Sequence, residues 1–108
     1  MTTATPAEQP RAFRPTGPCE FNGQPAVHLR SPGGAQATVL LHGGHVVSWI
    51  PAGAEEQLFL SPATAFGEGA AVRGGVPVIF PQFNLRGALP VKHGFARNRA
   101  WTLDQAQV

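Results

Sequence analysis

Arg73, Lys92, His93 and Arg97 have the types and settings to do chemistry, because each sits in or beside a glycine-bearing turn in the second half of the chain. Guanidinium and ammonium groups bind anions, and an imidazole can hold or give up a proton near neutral pH. No Asp or Glu occurs between Glu68 and Asp104, an interval that also holds Arg86 and Arg99 and so contains five of the eight basic residues. That stretch sets up a positive local potential. Two readings of it stand at this point, a site for a small anionic ligand and a solvated basic loop. The overall charge of +2 is too small to indicate nucleic acid.

Other chemistries find little support. His42 and His45 have the three-residue spacing of a metal pair, but metal sites need three or four convergent ligands, and Gly43-Gly44 makes a turn between the two. A structural role is the better reading, and no metal is expected. Gly67-Glu68-Gly69 has Val72 where a dinucleotide loop needs its third glycine, and neither a Gly-x-Ser-x-Gly turn nor a Gly-Lys-Ser/Thr ending is present. No resident cofactor is expected. Glu55 and Glu56 follow a Pro/Gly turn and Asp104 stands alone, so no carboxylates are paired for acid and base work. Arg86 and Arg99 are assigned to solvent.

The elements that must position these residues read as strands. With 13 glycines, 11 prolines and only 13% charged residues, the composition favours short strands and tight turns over amphipathic helices. Met1 to Pro18 shows no periodicity and reads as a disordered tail, leaving residues 19–108 as one folding unit. Asn22-Gly23 predicts a hairpin between Cys19–Phe21 and Ala26–Arg30, with Pro25 holding it to a sheet edge. Ala35–Leu41 and His45–Ile50 predict a second hairpin around Gly43-Gly44. Glu56–Leu60 is a further candidate strand, Ser61–Val72 a loop, Val76–Pro81 an irregular or edge strand, and Trp101–Leu103 the start of another. Trp49, Phe80, Phe83 and Trp101 could stack on a sugar, but aromatics on strands are usually core, and the core is the expectation. The lone Cys19 fits a reducing compartment. No apolar run reaches the length of a membrane span, and Met1–Arg14 lacks the apolar centre of a secretory signal, so a cytoplasmic location is expected.

Five segments carry a resemblance in a fixed order: Gly44 to Trp49, Leu58 to Ser61, Arg73 to Pro77, Phe80 to Phe83, and His93 to Arg97 ahead of Trp101. Together they resemble the N-terminal region of the hexose-6-phosphate mutarotases (glucose-6-phosphate 1-epimerases) of the aldose-1-epimerase superfamily. The resemblance implies an all-β fold, the N-terminal part of a large antiparallel β-sandwich of the galactose mutarotase kind. It implies interconversion of the α and β anomers of hexose 6-phosphates by a monomer that needs neither metal nor nucleotide. By motif, Arg73, Lys92 and Arg97 fall on phosphate-binding positions and His93 on a sugar-contacting one, with Lys92 standing where Gln is common. The catalytic acid, a His, and the base, a Glu, are implied beyond Val108. A segment of this kind is expected to leave strand edges and an apolar face uncovered, to be marginally stable and to be inactive alone. Three rival readings are a non-catalytic carbohydrate-binding β module, a plain aldose 1-epimerase, and a structural or regulatory fragment that binds no sugar.

Overall fold

The computed structural model describes residues 15–66 and 72–106. Four strands, β1 (Gly17–Phe21), β2 (Gln24–Arg30), β3 (Gln36–Leu40) and β4 (Val46–Ile50), form one antiparallel sheet in the order β1-β2-β3-β4. Each turn is made by residues suited to it. Asn22 and Gly23 both have positive φ, 50° and 78°, as a two-residue hairpin loop demands. Ser31 closes the second turn, its hydroxyl accepting from the Ala35 amide at 3.1 Å while its own amide donates to the Ala35 carbonyl at 2.9 Å. Gly43 and Gly44 make the third.

The ordered part starts before Cys19. Met1–Arg14 lie outside the described residues, but the rest of the expected tail is tied to the sheet. The Thr16 hydroxyl bonds the amide and carbonyl of Arg30, a His28 ring nitrogen lies 3.1 Å from the Pro15 carbonyl, and Gly17 and Pro18 begin β1. The hairpin does lie at the sheet edge, through β1, but Pro25 does not limit pairing of β2. β2 pairs with β1 and β3, and the Pro25 carbonyl accepts from the Leu41 amide at 3.1 Å although the proline has no donor to return.

Residues directly opposed across the strands share a face, so the register sorts the side chains. One face carries Ala26 with Leu40, then the row His28, Thr38 and Ser48, then Arg30, Gln36 and Ile50. Thr38 pairs with Ser48 but Val39 pairs with Val46, which leaves Val47 as an extra residue in β4. This bulge turns Val47 and Ser48 to the same face. Val47 thereby joins Ala26, Leu40 and Val72 in the core, with Cys19, Phe21, Leu60 and Phe66 packed around them. The opposite face is apolar and more open. Val27, Leu29, Val39 and Leu41 line a groove there, with Trp101 and Leu103.

The rest of the chain attaches by isolated bridges: Val46 to Val76, Leu60 to Gly74, Phe80 to Gly94, and His42 to Ala100. Glu56–Leu60 is therefore not a strand. The Gln57 amide donates to the Trp49 carbonyl at 2.8 Å and the Phe59 carbonyl accepts from the Gly75 amide at 2.9 Å. The Glu56 carboxylate accepts from the Ser48 hydroxyl, from the Trp49 amide at 2.8 Å and from the Leu58 amide at 3.1 Å. Trp101–Leu103 is not a strand either, since only Trp101 reaches back, its amide donating to the Leu41 carbonyl at 2.8 Å. The four aromatics expected in the core are exposed, Trp49 at 41%, Phe80 at 59%, Phe83 at 64% and Trp101 at 42%. Trp49 lies on the open face of the sheet and the other three on segments outside it.

Gly43 and Gly23 separate two effects of a side chain. Their φ values, 77° and 78°, are nearly the same, so alanine meets the same left-handed backbone cost at each, about 1–2 kcal/mol. A Cβ at Gly23 meets open space, whereas one at Gly43 runs into the backbone carbonyl of Arg97. Gly43→Ala is expected to destabilise by about 1–3 kcal/mol more than Gly23→Ala. Urea unfolding midpoints of the two variants measure the difference.

Candidate functional site

The first basic turn, Arg73-Gly74-Gly75, is locked in place by its backbone. The Arg73 carbonyl accepts from the Ser61 amide at 2.8 Å, the Thr64 hydroxyl bonds the Arg73 carbonyl and amide, and the Gly75 amide donates to Phe59 at 2.9 Å. A Cβ at Gly75 would strike the Val46 carbonyl and the His45 ring, so the turn lies against β4 only because glycine stands there. From inside, the buried His45 holds it: Nε2 lies 2.5 Å from the Gly74 carbonyl and, facing an acceptor, carries the ring proton. Burial lowers the His45 pKa below 6.5, the Gly74 bond works against that, and the charges of Arg97 and His42 add to the lowering. His45 is thus a structural histidine, with a carbonyl of the Arg73 turn as its partner. The Arg73 side chain itself is exposed.

The second basic turn is organised around Gln82. Its side chain is buried, with the amide nitrogen donating to the carbonyls of Leu89 at 2.9 Å, Val91 at 3.1 Å and Asn84 at 3.2 Å, while Oε1 accepts from the Leu89 amide at 3.0 Å. Asn84 then grips His93 twice. The Asn84 amide donates to Nδ1 of the ring at 2.8 Å, and the His93 amide donates to the Asn84 carbonyl at 2.8 Å. His93 itself has φ of 65°, unusual for a residue with a Cβ. Its pKa is lowered, first by lost hydration and then by the charges of Arg97 and Lys92. Lys92 is exposed beside it, and the Phe83 ring lies 5.0 Å from the His93 ring.

Arg97 occupies the short 3₁₀ turn Ala96–Asn98. That turn is anchored where the Phe95 and Ala96 amides both donate to the Phe80 carbonyl, at 3.0 and 3.2 Å, and where the Arg97 backbone meets Gly43. After loss of hydration, the charge of Arg97 contributes to the lowered pKa of both His45 and His93. Its Nε is buried without a hydrogen-bond partner among the described residues, as is Oδ1 of Asn98. The structure thus gathers Lys92, His93 and Arg97 into one neighbourhood, with Arg73 next to the carbonyl that His45 holds. Arg99 is not simply solvated; its guanidinium lies 4.1 Å from the centre of the Phe95 ring.

Residues 25–108 match the aldose 1-epimerase family along a continuous stretch that takes in both basic turns. The chain belongs to that family. It is 53% identical over 70 residues to a protein of Escherichia coli K12 named "putative glucose-6-phosphate 1-epimerase", which covers 63% of this chain and 24% of that one. A protein of Cenchrus ciliaris with the same name is 45% identical over 83 residues, 77% of this chain and 25% of that one. Among solved structures, a Salmonella typhimurium protein described as a "putative mutarotase (YeaD)" superposes with a TM-score of 0.69 at 37% identity, over 82% of this chain and 30% of its own. The chain therefore spans about a quarter of the length of the curated relatives it matches. The sheet is part of the β-sandwich of this epimerase family.

Other features of the site bound its chemistry. Among the described residues there is no group of three or more His, Cys, Asp or Glu that could hold a metal ion, and no helix is long and apolar enough to cross a membrane. The Gly67-Glu68-Gly69 segment lies outside the described residues. Burial would raise the pKa of Glu56, but the hydrogen bonds from Ser48, Trp49, Leu58 and Gln57 outweigh it and hold the carboxyl below 4.5.

These shifts set the pH dependence of folding. Above pH 6.5 the rings of His45 and His93 are neutral whether the chain is folded or not; below it the unfolded chain takes up protons that the folded chain refuses. Stability is expected to fall as the pH drops through the region below 6.5, and to fall further below 4.5, where unfolded Glu56 is protonated first. His45→Gln keeps an N–H for the Gly74 carbonyl but does not titrate, so it should flatten the upper part of this decline. Urea midpoints taken from about pH 8 to about pH 4 read both.

Proposed function

We propose that the chain supplies the phosphate-binding half of the site of a hexose-6-phosphate mutarotase, a glucose-6-phosphate 1-epimerase. The observation that carries this reading is the Nε of Arg97, buried without a hydrogen-bond partner among the described residues, in a short turn that follows Lys92 and His93 in the chain. A buried donor without a partner costs about 1–3 kcal/mol, and an anionic ligand would remove that cost. A guanidinium suits phosphate because its planar fork can make paired hydrogen bonds.

In this reading Arg73, Lys92 and Arg97 take the phosphate, and His93 meets the sugar through its Nε2–H. Mutarotation removes the proton from the C1 hydroxyl and protonates the ring oxygen, opening the hemiacetal, and then recloses the ring with the opposite configuration at C1. The bond between C1 and the ring oxygen breaks and re-forms with proton transfers and no net change of oxidation state, so the reaction requires no redox cofactor and no nucleotide. Glu56 is engaged with Ser48 and Trp49 on the sheet and is a poor candidate base. The acid His and base Glu that such a reaction needs would come from strands beyond this chain. Anchoring the phosphate fixes C1 relative to that pair. Sugar phosphates are charged and do not diffuse through membranes, which supports a cytoplasmic location.

The test uses the protein that contains this chain together with the remaining sandwich strands. A charge-assisted contact is worth about 1.5–3 kcal/mol, roughly tenfold to a hundredfold in binding. Arg73→Ala and Arg97→Ala are therefore expected to lower kcat/KM for glucose 6-phosphate by that factor while affecting free glucose much less. His93→Ala should impair both sugars alike. NMR exchange between anomers measures all three, with and without a chelator. Equal losses on both sugars in the arginine variants would point to a plain aldose 1-epimerase. Sugar binding without anomer exchange would point to a carbohydrate-binding module, and loss of activity to the chelator would count against the metal-free reaction.

A further inference from the structure

We infer that Gln82 is a positioning residue that sets His93 as an Nε2–H donor toward the ligand. Its consequence for catalysis rests on the reading under Proposed function. The geometric argument does not.

An imidazole without a net charge has one N–H and one acceptor nitrogen, and whatever hydrogen-bonds the first nitrogen decides what the second presents. Here the partner of Nδ1 is a backbone amide, the Asn84 N–H at 2.8 Å, and an amide can only donate. Nδ1 must therefore be the acceptor and Nε2 must carry the hydrogen. A histidine held in this way offers a hydrogen bond to a sugar oxygen and cannot act through Nε2 as a base.

This selection depends on the Asn84 amide staying where it is, on a loop without regular structure. Asn84 has φ of 53°, a conformation that few residues with a side chain adopt unaided. The Gln82 side chain fastens the loop. Its amide reaches the Asn84 carbonyl on one side and the Leu89 and Val91 carbonyls on the other, so one buried group joins the segment before the loop to the segment that leads into His93. Gly87 closes over it, since a Cβ there would strike Oε1 of Gln82. Its geometry fits a support for the His93 ring: every hydrogen bond it makes is to loop backbone, and it lies buried under the turn.

The experiment labels the histidines of the complete protein with ¹⁵N and reads the tautomer of each ring from two-bond proton–nitrogen spectra, with His93→Ala assigning the signal. The wild type is expected to show His93 as the Nε2–H form. Gln82→Met keeps the volume but loses the hydrogen bonds, and should give a mixture of tautomers with a tenfold to hundredfold loss, roughly, in kcat/KM on glucose 6-phosphate and glucose alike. Gln82→Asn, one methylene shorter, should lie between. Asn84→Gly retains the amide and accepts a positive φ, so it should keep the wild-type tautomer. A wild-type His93 in the Nδ1–H form overturns the inference whether or not the variants fold, as does a folded Gln82→Met with an unchanged tautomer. If the wild type shows the Nε2–H form but does not epimerise sugar phosphates, the functional proposal fails and the role of Gln82 stands.

Discussion

The hydrogen bond from His45 to the Gly74 carbonyl is the side-chain tie between the sheet and the Arg73 turn, set beside the Val46–Val76 bridge. It runs from a buried residue at the start of β4 to the middle of the Arg73 turn, a separation of 29 residues along the chain. Three conditions make it possible. Gly75 must lack a side chain so that the turn can lie against Val46 and the His45 ring. The ring must be neutral, or a buried charge would meet the positive Arg97. β4 must also leave its hairpin at the right angle, which the extra residue Val47 governs by bending the strand.

Electrostatics follow from the same arrangement. Loss of hydration is the larger cause of the lowered pKa of His45 and His93 alike, and the charge of Arg97 further disfavours the protonated form of both rings. The basic residues of the turns also have no acidic neighbour in sequence to neutralise them, since the interval from Gly69 to Leu103 holds no Asp or Glu. The carboxylate that does serve a structural purpose, Glu56, lies earlier in the chain and is bound to β4. Separating these two sets of charges leaves the positive potential of the turns available for a ligand.

The sheet was legible because short-range rules decided it. Asn22-Gly23, Ser31 to Gly34 and Gly43-Gly44 are turn sequences with local physical causes, and the strands between them came within a few residues of their observed limits. Long-range effects were not legible. Glu56–Leu60 has the composition of a strand, yet its backbone divides its bonds among Trp49, Gly75 and the Glu56 carboxylate, so no continuous ladder forms. The aromatics looked like core by residue type, but type does not say which face of a sheet is covered. At the site, glycines beside basic residues drew attention to Arg73, Lys92, His93 and Arg97. Nothing in the pattern singled out His45, which resembled half of a metal pair, or Gln82, whose amide sits among apolar neighbours in Phe80-Pro81-Gln82-Phe83. A buried amide among apolar residues is a recognisable sign, since such a group must find partners.

The exposed apolar surface has a bearing on how the site is divided. Val27, Leu29 and Val39 share the open face of the sheet with Trp49, and the groove at its end reaches Trp101. A β-sandwich closes such a face with a second sheet, and the matched relatives are about four times as long as the stretch they share with this chain. The hydrogen bonds that orient His93 and the Arg73 turn run within the described residues, from Gln82, Asn84, His45 and Thr64. The shape of the two basic turns is therefore supported by hydrogen bonds of the chain's own residues. The second sheet would contribute enclosure, by excluding water from the arginines and so strengthening their hold on an anion.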